Sequence, residues 1–296
     1  MKLLIIFNPK AAHGRSVALL DDIREGFKSR GIETHIESTR YPGHARSLVK
    51  AADLSGFDGV VAAGGDGTLF EVLNGLYARP KASRVPLGLL PIGTGNAFSR
   101  ELKTGTATWS EAMDILQLGK LRQIDVGMVR SADADFYFLN VLHMGFAVDA
   151  GRSAQKLKFL GNSAYTLATL WQVLKLKSYA LEIEVDGQVM SSDNVFTTIA
   201  NTRYTGTHFL IAPDAKFDDG KLDLIMLQKL KRTRLLKLFP TIYEGRHVEF
   251  DEVSGLKATN IKLLSPTGML LGPDGEFLGH TPAEITCLHR DLTVFC

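Results

Sequence analysis

The sequence predicts an α/β domain with a mostly parallel sheet, followed by a β-rich, sandwich-like domain. Two observations carry this expectation. Over residues 1–125, short β-branched runs alternate with longer amphipathic ones, as strands and helices do around a parallel sheet covered on both faces. From residue 126 to 296, strand patterns follow one another with turn signals between them, which points to a sandwich or flattened barrel. The last strand could return to the first domain.

Taken in order, Leu3 to Phe7 is a short apolar run of the kind buried on both faces, and Ser16 to Arg30 is amphipathic at helical spacing and stopped by Gly31. Thr34 to Glu37 and Gly59 to Ala63 are further strands, with a helix after Gly43 between them. Leu69 to Tyr77, Leu87 to Leu90 and Ser110 to Leu118 continue as helix, strand and helix. In the second half, strands are expected at Phe136 to Leu142, Leu181 to Val185, Val195 to Ala200, Leu222 to Leu227, Val248 to Val253 and Ala258 to Leu264. Asp186-Gly187 and Asp274-Gly275 are hairpin signals, because both positions tolerate positive φ. Helical patterns occupy Ser163 to Leu176 and Thr233 to Tyr243.

Composition narrows the functional classes. The chain has 296 residues, 45% hydrophobic and 22% charged, so it is globular rather than disordered. A net charge of +2 gives no reason to expect a nucleic-acid partner. Two cysteines, Cys287 and Cys296, make no stapling framework and fit a reducing compartment. Leu3 to Phe7 ends at Asn8-Pro9, too short for a signal-peptide core, and no run approaches the roughly 20 apolar residues of a membrane span. These features suggest a cytoplasmic protein, peripheral at the inner face of a membrane if it meets one. Nothing in the sequence specifies an oligomeric state.

Gly64-Gly65-Asp66-Gly67-Thr68 lies between an expected strand and an expected helix. Glycines let backbone approach phosphate oxygens, and free N–H groups at a helix start favour an anion. Asp66 would oppose bare phosphate, which suggests an intervening metal ion. The alternative is a tight turn with a capping box, Thr68 as N-cap and Glu71 three residues on, and such a cap is compatible with a phosphate loop. Asn8-Pro9-Lys10-Ala11-Ala12-His13-Gly14 and Pro91-Ile92-Gly93-Thr94-Gly95-Asn96 follow two other strands. Ligands of parallel sheets collect where such loops converge. Neither a Gly-x-Gly-x-x-Gly helix start nor a Gly-x-x-x-x-Gly-Lys-Ser/Thr loop occurs.

Asn8-Pro9, the Gly64 to Thr68 pentad, Gly93-Thr94-Gly95-Asn96-Ala97-Phe98 and Asp274-Gly275-Glu276, in that order across nearly the whole chain, resemble the signature of the diacylglycerol kinase catalytic-domain family of lipid kinases. The resemblance implies an ATP-binding α/β domain, a β-rich lipid-binding domain, and phosphorylation of a lipid hydroxyl in a nucleotide cleft between them, with ATP as phosphate donor and Mg²⁺ as cofactor. By position it implies nucleotide contacts from Asn8, Pro9, Lys10, Thr39, Gly64, Gly65, Asp66, Gly67, Thr68, Glu71, Gly93, Thr94 and Asn96. One departure is Ala97, where many relatives carry Asp.

Moving a phosphoryl group to a hydroxyl requires positioning, charge neutralisation and an acceptor for the hydroxyl proton. The residues alone make Asp274-Gly275 a turn with a solvated Glu276 beside it; the resemblance implies Glu276 as the catalytic base, with Asp66 arranging Mg²⁺ and phosphate. Lys216-Phe217-Asp218-Asp219-Gly220-Lys221 is likewise an ordinary acidic turn on its own. The resemblance implies a structural Mg²⁺ there, held by the Asp219 side chain and the carbonyls of Lys216 and Lys221.

A lipid substrate requires contact with a membrane surface. Lys229, Lys231, Arg232, Arg234 and Lys237 interleave with leucines, and Lys156 to Lys177 includes Phe159, Tyr165 and Trp171. Such stretches either rest on an anionic headgroup layer or pack their apolar faces inward. Two other functions stay open: a soluble kinase like NAD kinase, which shares Gly-Gly-Asp-Gly, and a lipid-binding regulator whose kinase site is dormant.

Overall fold

Five consecutive apolar residues, Leu3 to Phe7, are buried on both faces, as a central parallel strand requires. The computed structural model describes residues 1–102, 108–156, 173, 175–206 and 209–296. The chain divides into two units, residues 1–126 with 289–296 and residues 127–288. Most of the expected helix at Ser163 to Leu176, and of the basic and aromatic stretch from Lys156 to Lys177, lies outside the described residues.

In the first unit β1 (Lys2–Phe7) pairs in parallel with β2 (Glu33–Ser38) and with β3 (Gly59–Gly64), and β4 (Leu87–Pro91) continues the sheet beyond β3. The end of β16 (Ala283–Phe295) adds a parallel neighbour to β4, with Val294 opposite Leu87. Side chains alternate across this sheet. Leu3, Ile5 and Phe7 share a core with Ile23 and Phe27 of α1 (Leu20–Ser29) and with Met113 and Leu116 of α5 (Trp109–Leu118). The opposite face meets α2 (His44–Ala51), which packs on α3 (Asp66–Tyr77).

The first helix starts later than its periodicity predicts. Ala12, His13 and Gly14 adopt positive φ (49°, 60° and 85°), the next turns are 3-10, and α-helical geometry begins at Leu20. The last residues are tied into the first unit by side chains. Asp291 accepts from Tyr77 Oη (3.0 Å) and Arg84 Nη1 (3.1 Å) and also meets Lys81. Fully buried Asp125, in β5 (Leu121–Ser131), accepts Arg290 N–H at 2.7 Å and hydrogen-bonds His289 Nδ1 at 2.9 Å.

The second unit is antiparallel. β5 pairs with β6 (Asp135–Phe138). The 13-residue β9 (Gln188–Ala200) serves two layers: its first half pairs with β8 (Tyr179–Val185) through the Asp186-Gly187 turn, and its second half lies between β7 (Val141–Gly145) and β12 (Leu222–Gln228). β13 (Val253–Ala258) pairs with β12, β14 (Asn260–Ser265) joins β8 to β16, and β15 (Leu271–Pro273) pairs with β7. Both expected hairpin turns have positive φ at both positions, 46° and 87° at Asp186-Gly187 and 46° and 86° at Asp274-Gly275. The strand expected over Val248 to Val253 is not formed. His247 is buried with Nε2 3.0 Å from the Ile211 carbonyl, residues 246–249 coil into a 3-10 turn, and β13 begins only at Val253.

Candidate active site

The three loops predicted to converge do so, held by short bonds within the first unit. Asn8, at the end of β1, donates from Nδ2 to Thr68 Oγ1 at 2.9 Å, and its N–H bonds to the Ala63 carbonyl. The Gly64 carbonyl accepts the N–H groups of Ile92 and Gly93 at 3.2 and 3.1 Å. Asp66 accepts Ala97 N–H at 2.8 Å, which seats it at the start of α4 (Ala97–Glu101). Gly93 is required by this approach, since a Cβ there would lie 2.3 Å from Gly65 Cα. Thr39 N–H bonds to the Phe7 carbonyl, which brings the loop after β2 beside Asn8. Asn8, Thr39, Gly64 to Thr68 and Gly93 to Asn96 therefore gather at the carboxyl ends of the parallel strands. Pro9 follows on the same loop, and Lys10 and Thr94 are exposed on their loops.

The predicted capping box at Thr68 and Glu71 does not form. α3 begins three residues earlier, with Gly65 as N-cap in extended geometry, and Thr68 Oγ1 is engaged by Asn8. Both Glu71 oxygens are taken by the start of α2, from Gly43 N–H at 2.7 Å and Ala45 N–H at 2.9 Å. Glu71 thus braces the loop that follows Thr39. A capping box does occur at Thr108 and Glu111, opening α5.

Burial pushes the Asp66 carboxyl up to about 6, with the N–H groups of residues 96–98 and the charge of Arg100 working against it. Asp66 is therefore mostly ionised at pH 7. Ala97 contributes its backbone N–H to this contact, while its methyl group is buried. Ala12 and His13, with φ of 49° and 60°, show strain of a kind that clusters at functional loops. The sequence carried no sign of it, since alanine has no preference for this region. A concavity of about 630 Å³ in the same unit lies along β2 and α2, floored by Leu4 and Ile6 and rimmed by Tyr41 and His44. Asp53 and Phe57 also line it, and none of Asn8, Thr39, Gly64 to Thr68 or Gly93 to Asn96 does.

In the second unit Glu276 follows a tight turn, its N–H donating to the Pro273 carbonyl at 2.7 Å. Asp274 faces inward and is buried, with its carboxylate on the N–H groups of Leu139, Asn140 and Val141. That role was not visible in the sequence.

Elsewhere in this unit, Gly220 (φ 77°) turns the chain between Asp219 and Lys221, and Asp219 Oδ1 accepts Lys221 N–H at 3.1 Å. Asp219 Oδ2 has a long contact of 3.4 Å to Lys257 Nζ, whose closer partners are Asp223 Oδ2 and the Asp214 carbonyl, both at 3.0 Å. Burial raises the Asp223 carboxyl, with Lys257 opposing. A carboxylate on a glycine turn is an oxygen donor of the kind a hard cation takes, and here its two oxygens face Lys221 N–H and Lys257 Nζ. Among the described residues no group of three or more His, Cys, Asp or Glu side chains is placed to hold a metal ion.

Comparison with known proteins identifies the chain's relatives. Residues 2–129 match the profile of the diacylglycerol kinase catalytic domain, and residues 140–296 match the YegS C-terminal NAD kinase beta sandwich-like domain. A diacylglycerol kinase of Mycobacterium tuberculosis is 33% identical over 297 residues, covering 99% of this chain and 94% of the relative. The chain belongs to the diacylglycerol kinase catalytic-domain family. A second member, a Bacillus subtilis diacylglycerol kinase, is 32% identical over 292 residues, 98% of this chain and 94% of its own. A solved structure from Bacillus anthracis strain Sterne, provisionally described as a diacylglycerol kinase, superposes with a TM-score of 0.82 at 28% identity, over 99% of this chain and 94% of that one. Family membership makes the chain a lipid-kinase homologue, with an N-terminal α/β part and a β-rich C-terminal part.

No helix among the described residues is long and apolar enough to cross a membrane. Of the basic stretch near residue 234, α7 (Arg232–Leu238) buries Leu235 and Leu238, and Arg234 is paired with Glu252 at 2.6 Å. Lys231, Arg232, Leu236 and Lys237 remain exposed.

Proposed function

We propose that the protein is an ATP-dependent lipid kinase that transfers the γ-phosphate to the hydroxyl of a diacylglycerol-like lipid. The observation that carries this reading is the convergence of the Asn8, Gly64 to Thr68 and Gly93 to Asn96 loops. Backbone N–H groups at the start of the 12-residue α3 favour phosphate oxygens, and Lys10 adds a cation on the neighbouring loop. Thr39 and Asn8 border the same loops and would contact the nucleotide. Glu71 would act on it through the loop it braces. The bound Mg²⁺ would neutralise phosphate charge, with ionised Asp66 as its protein partner.

Glu276 is the group to which we assign the hydroxyl proton. A carboxylate on a tight turn is held by backbone rather than by a long flexible segment, which suits a general base. A second, structural Mg²⁺ would be held by Asp219 with the carbonyls of Lys216 and Lys221. The exposed basic residues of α7, around Leu236, are where an anionic lipid surface would be met. The names of the M. tuberculosis and B. subtilis relatives support a diacylglycerol acceptor.

Transfer of label from ATP to diacylglycerol, sphingosine, phosphatidylglycerol and NAD tests the proposal. Label on diacylglycerol, reduced to under about a tenth by Glu276→Gln, is the expected result. Label on NAD alone would establish a soluble nucleotide kinase, and label on none would leave a dormant lipid-binding regulator.

A further inference from the structure

The Pro273-to-Glu276 turn hangs from a buried polar knot. Asp274 is 7% exposed, yet its carboxylate accepts three backbone N–H groups, from Leu139 (2.9 Å), Asn140 (2.8 Å) and Val141 (3.0 Å). Its own N–H returns a bond to the Val141 carbonyl at 2.9 Å. The link from β6 to β7 is thereby fastened to the turn. That link is fastened again on its far side. The Asn140 carbonyl accepts the N–H groups of Asn201 (2.8 Å) and Thr202 (3.2 Å), Thr202 Oγ1 donates to Asn140 Oδ1 (3.2 Å), and Asn201 Nδ2 donates to the Leu139 carbonyl (2.8 Å). Asn140, Asn201 and Thr202 are at most 2% exposed.

Three chain segments thus meet in one desolvated network, where polar bonds are strong and a misplaced group is costly. Hydrogen bonds add a directional constraint on backbone position that apolar packing alone does not. The turn makes that constraint useful. Asp274 sits at φ 46° and Gly275 at 86°, and the Glu276 N–H closes the turn on Pro273. Glu276 is two residues from the anchored carboxylate, and its N–H is fixed by the same turn.

We propose that Asp274, seated on Asn140, Asn201 and Thr202, is a positioning residue that fixes Glu276 for proton abstraction. The inference rests on the reading of Glu276 as the general base. Asp274→Asn is the informative variant, because Asn tolerates positive φ and keeps the turn, while its single carbonyl oxygen cannot serve three N–H donors and its Nδ2 opposes one of them. Expected is a fall in kcat of about 10- to 100-fold, the scale of a misplacement of order 1 Å. The KM for ATP should stay within about 2-fold, and the limb of the pH–kcat profile set by the base should move, whereas loss of folded protein alone would lower amplitude without moving it. Because Asp274 acts through Glu276, adding Asp274→Asn to Glu276→Gln should deepen the loss by no more than about 3-fold.

A folded Asp274→Asn protein with kcat within about 3-fold of wild type, an unmoved limb, or losses that multiply in full with Glu276→Gln would each overturn the positioning role. If Asp274→Asn does not fold, Thr202→Val removes one bond of the knot, and the same split should appear at about 3- to 10-fold; unchanged kcat there overturns the proposal. Glu276→Gln retaining more than about a tenth of wild-type turnover would instead defeat the base assignment itself, and the inference with it.

Discussion

Gly93→Ala tests whether the converging loops of the proposed nucleotide site depend on backbone contact. The φ of Gly93 is outside the positive range, so alanine brings no conformational strain and the effect is one of space. The new Cβ would lie 2.3 Å from Gly65 Cα and 2.7 Å from Gly65 N, where ordinary contact begins at 3.4 Å. Both obstacles are backbone, so the two loops must part by about 1 Å. Parting stretches the bonds from Ile92 and Gly93 N–H to the Gly64 carbonyl, now 3.2 and 3.1 Å, beyond hydrogen-bond range. Two such bonds are worth about 1–3 kcal/mol together, and overpacking adds about 1–3 kcal/mol. A total destabilisation of roughly 2–6 kcal/mol follows, with nucleotide affinity at least about 10-fold weaker because its loops no longer meet. Thermal melting and calorimetric titration with Mg-ADP measure both. Gly56→Ala is the control, since nothing lies within 4 Å of its added Cβ. A Gly93→Ala protein that melts within about 1 °C of wild type and binds nucleotide equally would refute the reasoning.

Three further outcomes are expected. Glu71→Ala removes the acceptor for Gly43 and Ala45 N–H and should cost about 1–3 kcal/mol in chemical denaturation, with weaker nucleotide binding through the Thr39 loop; binding unchanged beside lost stability would make Glu71 purely structural. Asp66, raised from 3.8 to about 6, favours the folded state when protonated, so its contribution is fully present below pH 3.8 and is lost as pH rises to 6. Asp66→Asn should abolish that fall, of order 2–3 kcal/mol, and a denaturation series from pH 4 to 7 showing the same slope in both proteins would contradict it. With nucleotide absent, Mg²⁺ should raise the melting temperature of wild type but not of Asp219→Ala, since an ion bound only by the native state stabilises it by mass action; equal responses would remove the metal from that loop.

The centre of the first unit's sheet was legible because β1 and β3 are buried on both faces and read as unbroken apolar runs, Leu3 to Phe7 and Gly59 to Ala63, whereas β2 is a partly exposed edge strand. The meeting of the three loops followed from the placement of each after a strand of a parallel sheet. What could not be read were choices between bonding partners for one polar group. Thr68 and Glu71 match a capping box in spacing, but Asn8 and the start of α2 compete for them from 60 and 28 positions away in sequence. Asp274 announced a turn through its neighbour Gly275, while its carboxylate works on a segment 135 residues earlier. The missed 3-10 turn at residues 246–249 has the same origin, a long-range bond from His247 to Ile211. Local pattern specifies which face a residue shows, and distant partners decide what a polar side chain then does.

The return of residues 289–296 to the first unit places the whole of residues 127–288 between two pieces of a single sheet. Were that intervening segment unfolded, closing so long a flexible loop to seat the last strand beside β4 would cost about 4–5 kcal/mol of chain entropy. A folded segment has surrendered that entropy already. A substitution that unfolds residues 127–288 should therefore also loosen the last strand from the sheet of residues 1–126. Loss of nucleotide binding in such a variant would report an unfastened end rather than a damaged site.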